Sequence, residues 1–213
     1  MGIPEIEQDL KLIRKVMESA SRYTNIPASG YMVTGLLGVF GAWKTWLFLE
    51  EKDFSAVLGR SELWEVRGLA MTWLAILFLA VAIIVIFSWR KARKYQVTAW
   101  NSLAARMILS QVPLAIVAGV LTVAMGLKGY YDLIPSVWLG IYGAILYSFS
   151  YFTGVEHKVE GSVFILLGIV AAFSSIQTLP LLLGLGFGGV HLMAGVVRAF
   201  LEKKGTHVSE PVE

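Results

Sequence analysis

Three histidines are the side chains here whose ordinary proton affinity lies near neutrality, and one of them, His191, stands in the run LGLGFGGVHLMAGVVR (183–198), among glycines and aliphatic residues. Gly184, Gly188, His191 and Gly195 fall at steps of four, three and four, so a helix through them puts all four on one face, and Arg198 continues it. An imidazole in that setting can ligate haem iron or a metal, relay protons, or bond a neighbouring helix. Haem held by two histidines needs a second imidazole at the same depth, whereas His157 stands in the short segment GVEHKVE and His207 in the C-terminal tail. A haem would therefore need Met71 or Met125, a second copy of the chain, or another protein. No Asp or Glu interrupts the apolar runs to complete a metal site or an acidic proton relay. Lys44, Gln111 and Gln177 do interrupt them, near the ends where long side chains snorkel. Ser174 and Ser175 have no base tied to them, and LGLGFGG follows no strand, so neither nucleophilic catalysis nor a phosphate loop is indicated. The chain reads as a non-enzyme with no catalytic residue, no metal site and no expected cofactor. Tyr142, at similar depth in another apolar run, is the candidate hydrogen-bond partner of His191, and the two together are the candidate position should a haem or quinone bind.

The elements that must position these residues are membrane spans. The 213 residues are 56% hydrophobic and 15% charged, with a mean hydropathy of +0.67, too apolar for a soluble domain to cover with polar surface. Six windows of about 20 apolar residues, each long enough to cross roughly 30 Å of hydrocarbon, fall at 29–49, 68–89, 107–127, 133–153, 161–179 and 181–201. The expected fold is all-α: a polytopic bundle of six transmembrane helices preceded by an amphipathic interfacial helix. Residues 1–28 form that cytoplasmic helix and linker, 29–201 the six-helix domain, and 202–213 a disordered cytoplasmic tail. The N-terminal MGIPEIEQDLKLIRK has no apolar core and does not read as a cleavable signal peptide. The chain has no cysteine, which excludes disulfides and thiolate chemistry.

Thirteen of the eighteen Lys and Arg residues fall on one side of this threading, which places both termini in the cytoplasm. The net charge of +3 then reflects topology and carries no nucleic-acid meaning. Trp43, Trp46, Trp73 and Trp138 fall near the outer interface, Trp89 and Trp100 near the inner one. Ile6, Leu10, Ile13 and Met17 line one face of the N-terminal helix, which lies on the inner leaflet or docks a partner. Arg90, Lys91, Arg93 and Lys94 in WRKARK form the basic anchor of the second span and meet anionic lipid or a partner. Ser29 is the expected cap of the first span.

Small residues run in rows along two further spans: Gly30, Thr34, Gly38 and Ala42 in the first, Ser136, Gly140, Ala144 and Ser148 in the fourth. Such rows let backbones approach where no hydrophobic effect drives helices together. They serve packing within one bundle or a homodimer. LGVFGA (37–42) is echoed by LGIYGA (139–144) three spans later, a weak hint of an inverted repeat against a background of chance similarity.

The juxtamembrane IRKVMESASRYTNIPASG, the QVPLAIVAG of span three, the IYGAILYSFSYFT of span four and the LGFGGVHLMAG of the last span resemble an uncharacterised family of six-span bacterial inner-membrane proteins, over roughly residues 12–200. The resemblance implies the same topology and no activity. Three functional classes follow from the residues. One is a non-catalytic regulatory, sensory or accessory subunit of a larger membrane complex. Another is a small transporter or channel for an uncharged solute with a midplane site near His191. The third is a haem or quinone binder.

Overall fold

The structure, a computed structural model, describes residues 27–50, 63–94 and 102–207, and every regular element among them is helical. Helix α1 spans Ala28–Glu50, α2 Leu63–Lys94, and α3 Ser102–Leu109, which passes through Ser110 and Gln111 into α4, Val112–Lys128. Helices α5 (Ile134–Phe149) and α6 (Val155–Ala172) follow, and the last rod joins α7 (Leu179–Leu183), a π-helical stretch (Gly184–Val190) and α8 (His191–His207). Pro113, Pro135 and Pro180 sit in the opening turns of α4, α5 and α7, where a missing N–H leaves no bond unmade. Gly129, with φ of 79°, closes α4 in the left-handed conformation that glycine adopts without steric cost.

Five stretches have the length and composition to cross a membrane: Ala28–Glu50, Val66–Lys94, Ala104–Lys128, Tyr131–Phe149 and Ile176–Lys203. Helix α6 does not join them, because Glu156, His157, Lys158 and Glu160 occupy its first turns and it ends at Ala172. The window expected at 161–179 is thus broken before a 3-10 turn at Ile176–Thr178.

Contacts between helices fix their directions. Gly195 abuts Ala28 and Met32, Gly35 abuts Leu192, and Gly184 meets Ala42, so the last rod runs antiparallel to α1. Gly30 faces Ile84 and Gly41 faces Trp73 and Ile76, so α2 returns along α1. Trp138 bonds Thr122 at 2.9 Å and Ser148 bonds Gln111 at 2.8 Å, which sets α5 antiparallel to α4. Gly168 abuts Gly140 while Gly161 abuts Tyr147, so α6 returns along α5. Direction therefore alternates helix by helix. The starts of α1 and α6 and the ends of α5 and α8 gather at one end of the bundle. The last rod is central, between α1, α5 and α6; α2 leans on α1 from outside and exposes Met71, Phe78 and Val81. Leu139 and Phe164, wholly buried, form the middle of the core, with Leu146, Ala171, Leu179, Leu182 and Leu183 around them.

The rows of small residues divide their work differently from the expectation. Gly30 faces α2, whereas Gly38 and Ala42 face the last rod; a side chain on Gly38 would run into the Phe187 carbonyl. Thr34 is buried and returns its hydroxyl to the Tyr31 carbonyl at 3.0 Å. In α5, a Cβ on Gly140 would meet nothing within 4 Å; only its backbone packs, 2.6 Å from where a Cβ on Gly168 would lie. The seam between α5 and α6 is made instead by Gly143, Gly161 and Gly168, where a Cβ on Gly143 would lie 2.6 Å from the Ile165 nitrogen and one on Gly161 2.5 Å from the Tyr147 nitrogen. Ser136 offers its carbonyl to that seam, Ala144 is half-buried, and Ser148 turns toward Gln111.

Two further expectations change. Helix α1 begins one residue before Ser29, with Pro27 O accepting from Gly30 N at 3.1 Å, so the exposed Ser29 is not its cap. Helix α8 continues to His207, and its Glu202 pairs with Lys91 at 2.6 Å, so residues 202–207 of the expected tail are helical, while 208–213 lie outside the described residues. Lys91 thus ties α2 to α8; Arg93 lies 4.9 Å over the Trp89 ring, and Arg90 and Lys94 are exposed at the same helix end. The face of Ile6, Leu10, Ile13 and Met17 lies outside the described residues, as does the expected 1–28 segment up to residue 26; Pro27 leads into α1 and Ala28 opens it.

Candidate functional site

Along the central rod, glycines at 184, 186, 188 and 189 weaken the ordinary helix, and the chain widens into a π turn from Gly184 to Val190. The widening pushes the Phe187 carbonyl against Gly38 of α1 and seats Gly186 between Leu139 and Phe164. His191 follows at once and is buried.

Tyr142 of α5 places its hydroxyl 2.7 Å from His191 Nε2, the pairing expected from their similar depth. Around the imidazole stand Tyr31, Phe164 and Phe187, with ring centroids 5.9, 5.4 and 6.5 Å away, and the Tyr142 ring at 5.5 Å. Nδ1 faces the backbone of Gly186 and Phe187 in the π turn without meeting hydrogen-bond geometry. Carbonyl oxygens on that side favour a proton on Nδ1, leaving Nε2 to accept from the Tyr142 hydroxyl.

A second pair lies one level nearer the end where α1 and α6 begin. His157 stands in α6, buried, and not in a loop. Tyr31 Oη is 2.7 Å from its Nε2, and Thr153 Oγ1 is 2.9 Å from its Nδ1. Thr153 spends its one hydroxyl proton on the Phe149 carbonyl at 2.8 Å, so it accepts from His157, whose Nδ1 carries the hydrogen. Nε2 then accepts from Tyr31, the polarity inferred for the other pair. Arg198 completes the cluster: its NH2 is 3.5 Å from His157 Nε2, its NH1 2.6 Å from Glu160 Oε1, and its guanidinium carbon 3.9 Å from the centre of the Tyr31 ring. Both partners of the Arg198–Glu160 pair are nearly buried, with side chains 12% and 10% exposed.

Tyr31 joins the two levels, bonding His157 with its hydroxyl and stacking its ring on His191. Sequence reasoning singled out His191, Tyr142 and the face leading to Arg198, but passed over Tyr31, His157, Thr153 and Glu160. The available signal was that His157 and Glu160 share the helical face of Gly161, Phe164, Gly168 and Ala171. Among the described residues, no three His, Asp or Glu side chains are grouped to hold a metal ion.

No protein family, curated protein or solved structure matches the chain.

Proposed function

We propose that the protein crosses a bacterial inner membrane six times with both termini in the cytoplasm, and serves as a non-catalytic sensory, regulatory or accessory subunit of a membrane complex. The carrying observation is how the central rod is occupied. Leu139, Phe164 and Phe187 fill the middle, glycine backbones close the seams, and both histidines already have a tyrosine on Nε2. This arrangement keeps one shape; it holds its polar groups in fixed partnerships and does not offer them to a solute or haem iron.

The alternation of direction supports the six-crossing reading, with α6 lying along α5. Its apolar stretch after Glu160 is short because the buried ion pair with Arg198 occupies its inner end. The basic clusters place that end in the cytoplasm. Reporter fusions in segments 51–62, 129–132 and 173–178 are expected on the outer side and those in 95–101 and 150–154 on the inner; any reversal at 173–178 removes the fifth crossing.

Native mass spectrometry of gently extracted protein tests the role. The expected spectrum contains a second protein chain in fixed stoichiometry. A bare monomer that also carries an uncharged solute across proteoliposomes would overturn the subunit reading.

A further inference from the structure

The cluster around His157 ties four segments through one neutral imidazole: Tyr31 from α1, Thr153 just after α5, His157 itself on α6, and Arg198 from the middle of α8. We infer that His157 is a proton-operated latch, closed when the ring is neutral and opened when it is protonated, and that its opening frees the Arg198 stretch of α8 from α1. The inference goes beyond the subunit reading and does not depend on it.

The chemistry follows from the hydrogen inventory. Nδ1–H is used on Thr153, whose own proton is used on the Phe149 carbonyl, so that side has no slack. A proton from water can therefore add only at Nε2, the atom that accepts from Tyr31. Once it does, Nε2 becomes a donor, the Tyr31 hydroxyl loses its acceptor, and two cations face each other across 3.5 Å, imidazolium and guanidinium. Among the described residues, the groups facing His157 offer one compensating charge close by, Glu160 on its own helix, and that carboxylate is engaged by Arg198 at 2.6 Å. Glu156, also on α6, is exposed, and among the described residues of α1 and the α5–α6 turn the uncharged Tyr31 and Thr153 are those that bond the ring. Two cations sharing one carboxylate in a nearly buried site repel unless one moves into water. Arg198, midway along α8 and held by Glu160 and by its place over the Tyr31 ring, has the long side chain that can swing out.

The chain lacks cysteine, so one introduced thiol reports accessibility. Ala194→Cys places it on α8 at a buried position one turn before Arg198, and Val159→Cys supplies an exposed reference on α6. The measurement is the ratio of their labelling rates by a charged thiosulfonate, on purified protein in lipid nanodiscs, which cancels the intrinsic pH dependence of thiol reactivity. Lowering the pH from about 8 to about 5.5, across the range where a released imidazole titrates, is expected to raise the ratio about tenfold. The rise should vanish in His157→Gln, which keeps a donor and an acceptor but cannot titrate. In Tyr31→Phe, where neutral His157 has lost the donor that favours it, the rise should occur at higher pH. A ratio that stays flat with His157 present, an equal rise in His157→Gln, or an unmoved midpoint in Tyr31→Phe would each overturn the latch. Should His157→Gln fail to elute as a single species, the wild-type ring and Tyr31→Phe carry the test.

Discussion

His191 with Tyr142 and His157 with Tyr31 are the same two residue types at the same 2.7 Å separation, yet one pair is shut in a shell of aromatic rings and the other stands beside a buried ion pair. The difference lies in what surrounds the shared bond. At His191, the neighbours are rings and a π turn, and the other hydroxyl among those rings, that of Tyr31, is already engaged on His157. At His157, Arg198 waits 3.5 Å away as a second donor, and Glu160 balances it. Identical hydrogen bonds thus become a rigid contact in one place and a replaceable, charge-sensitive one in the other. The environment decides which.

Substitutions at both pairs test that contrast, from the largest expected effect downward, with two glycine variants as a packing reference. Glu160→Ala strips Arg198 of its counter-charge in a nearly buried site and should destabilise the protein by about 3–5 kcal/mol, read as a large fall in the thermal midpoint. A loss below 1 kcal/mol would mean water already reaches the cluster. Tyr142→Phe leaves His191 Nε2 buried without a donor, at a cost of about 1–3 kcal/mol. Adding His191→Phe should recover much of that, since removing both partners removes the orphan; strictly additive losses would argue against the pairing as the source of the cost. Tyr31→Phe should cost less than Tyr142→Phe, under about 1 kcal/mol, because His157 Nε2, once the hydroxyl is gone, can take up a proton, an outlet the ring-enclosed His191 lacks. If the two tyrosine variants behave alike, the contrast between the pairs is broken. Smallest of all is Gly140→Ala, within about 0.5 kcal/mol, since its Cβ enters open space. The paired control Gly143→Ala drives a methyl into the α6 backbone and should cost about 1–3 kcal/mol.

The hexamers LGVFGA and LGIYGA carry a second lesson of the same kind. In α1, Phe40 is exposed, Gly38 backs onto the π turn and Gly41 onto α2. In α5 the equivalent Tyr142 is in the core, Gly140 is open and Gly143 backs onto α6. Equal letters took unequal faces, because a face has meaning only relative to the helices that adjoin it.

How much was legible divides along physical lines. Depth was. A helix rises 1.5 Å per residue, so counting from the charged ends of each span sufficed to bring Tyr142 and His191 to one level, and apolar windows of about 20 residues sufficed to delimit five of the six expected spans. The all-helical class was legible for the same reason, since backbone polar groups in an apolar run must be satisfied within their own helix.

Azimuth and adjacency were not. Glu160 and Arg198 read as charged ends of spans because nothing in their local sequence reveals that α6 and α8 bring them within 2.6 Å of each other. The π turn shifts facing by a fraction of a turn, which a count of fours and threes across Gly184, Gly188 and His191 does not register. The seam of Gly143, Gly161 and Gly168 was hidden among 21 glycines of similar context. By itself, then, the sequence determined that the described elements are helical, where five of the six expected apolar stretches lie and that Tyr142 and His191 share a level, because those depend on local composition and a constant rise. Only the tertiary structure decided which residues meet, because helix rotation and neighbour choice are settled by the packing of all the helices at once.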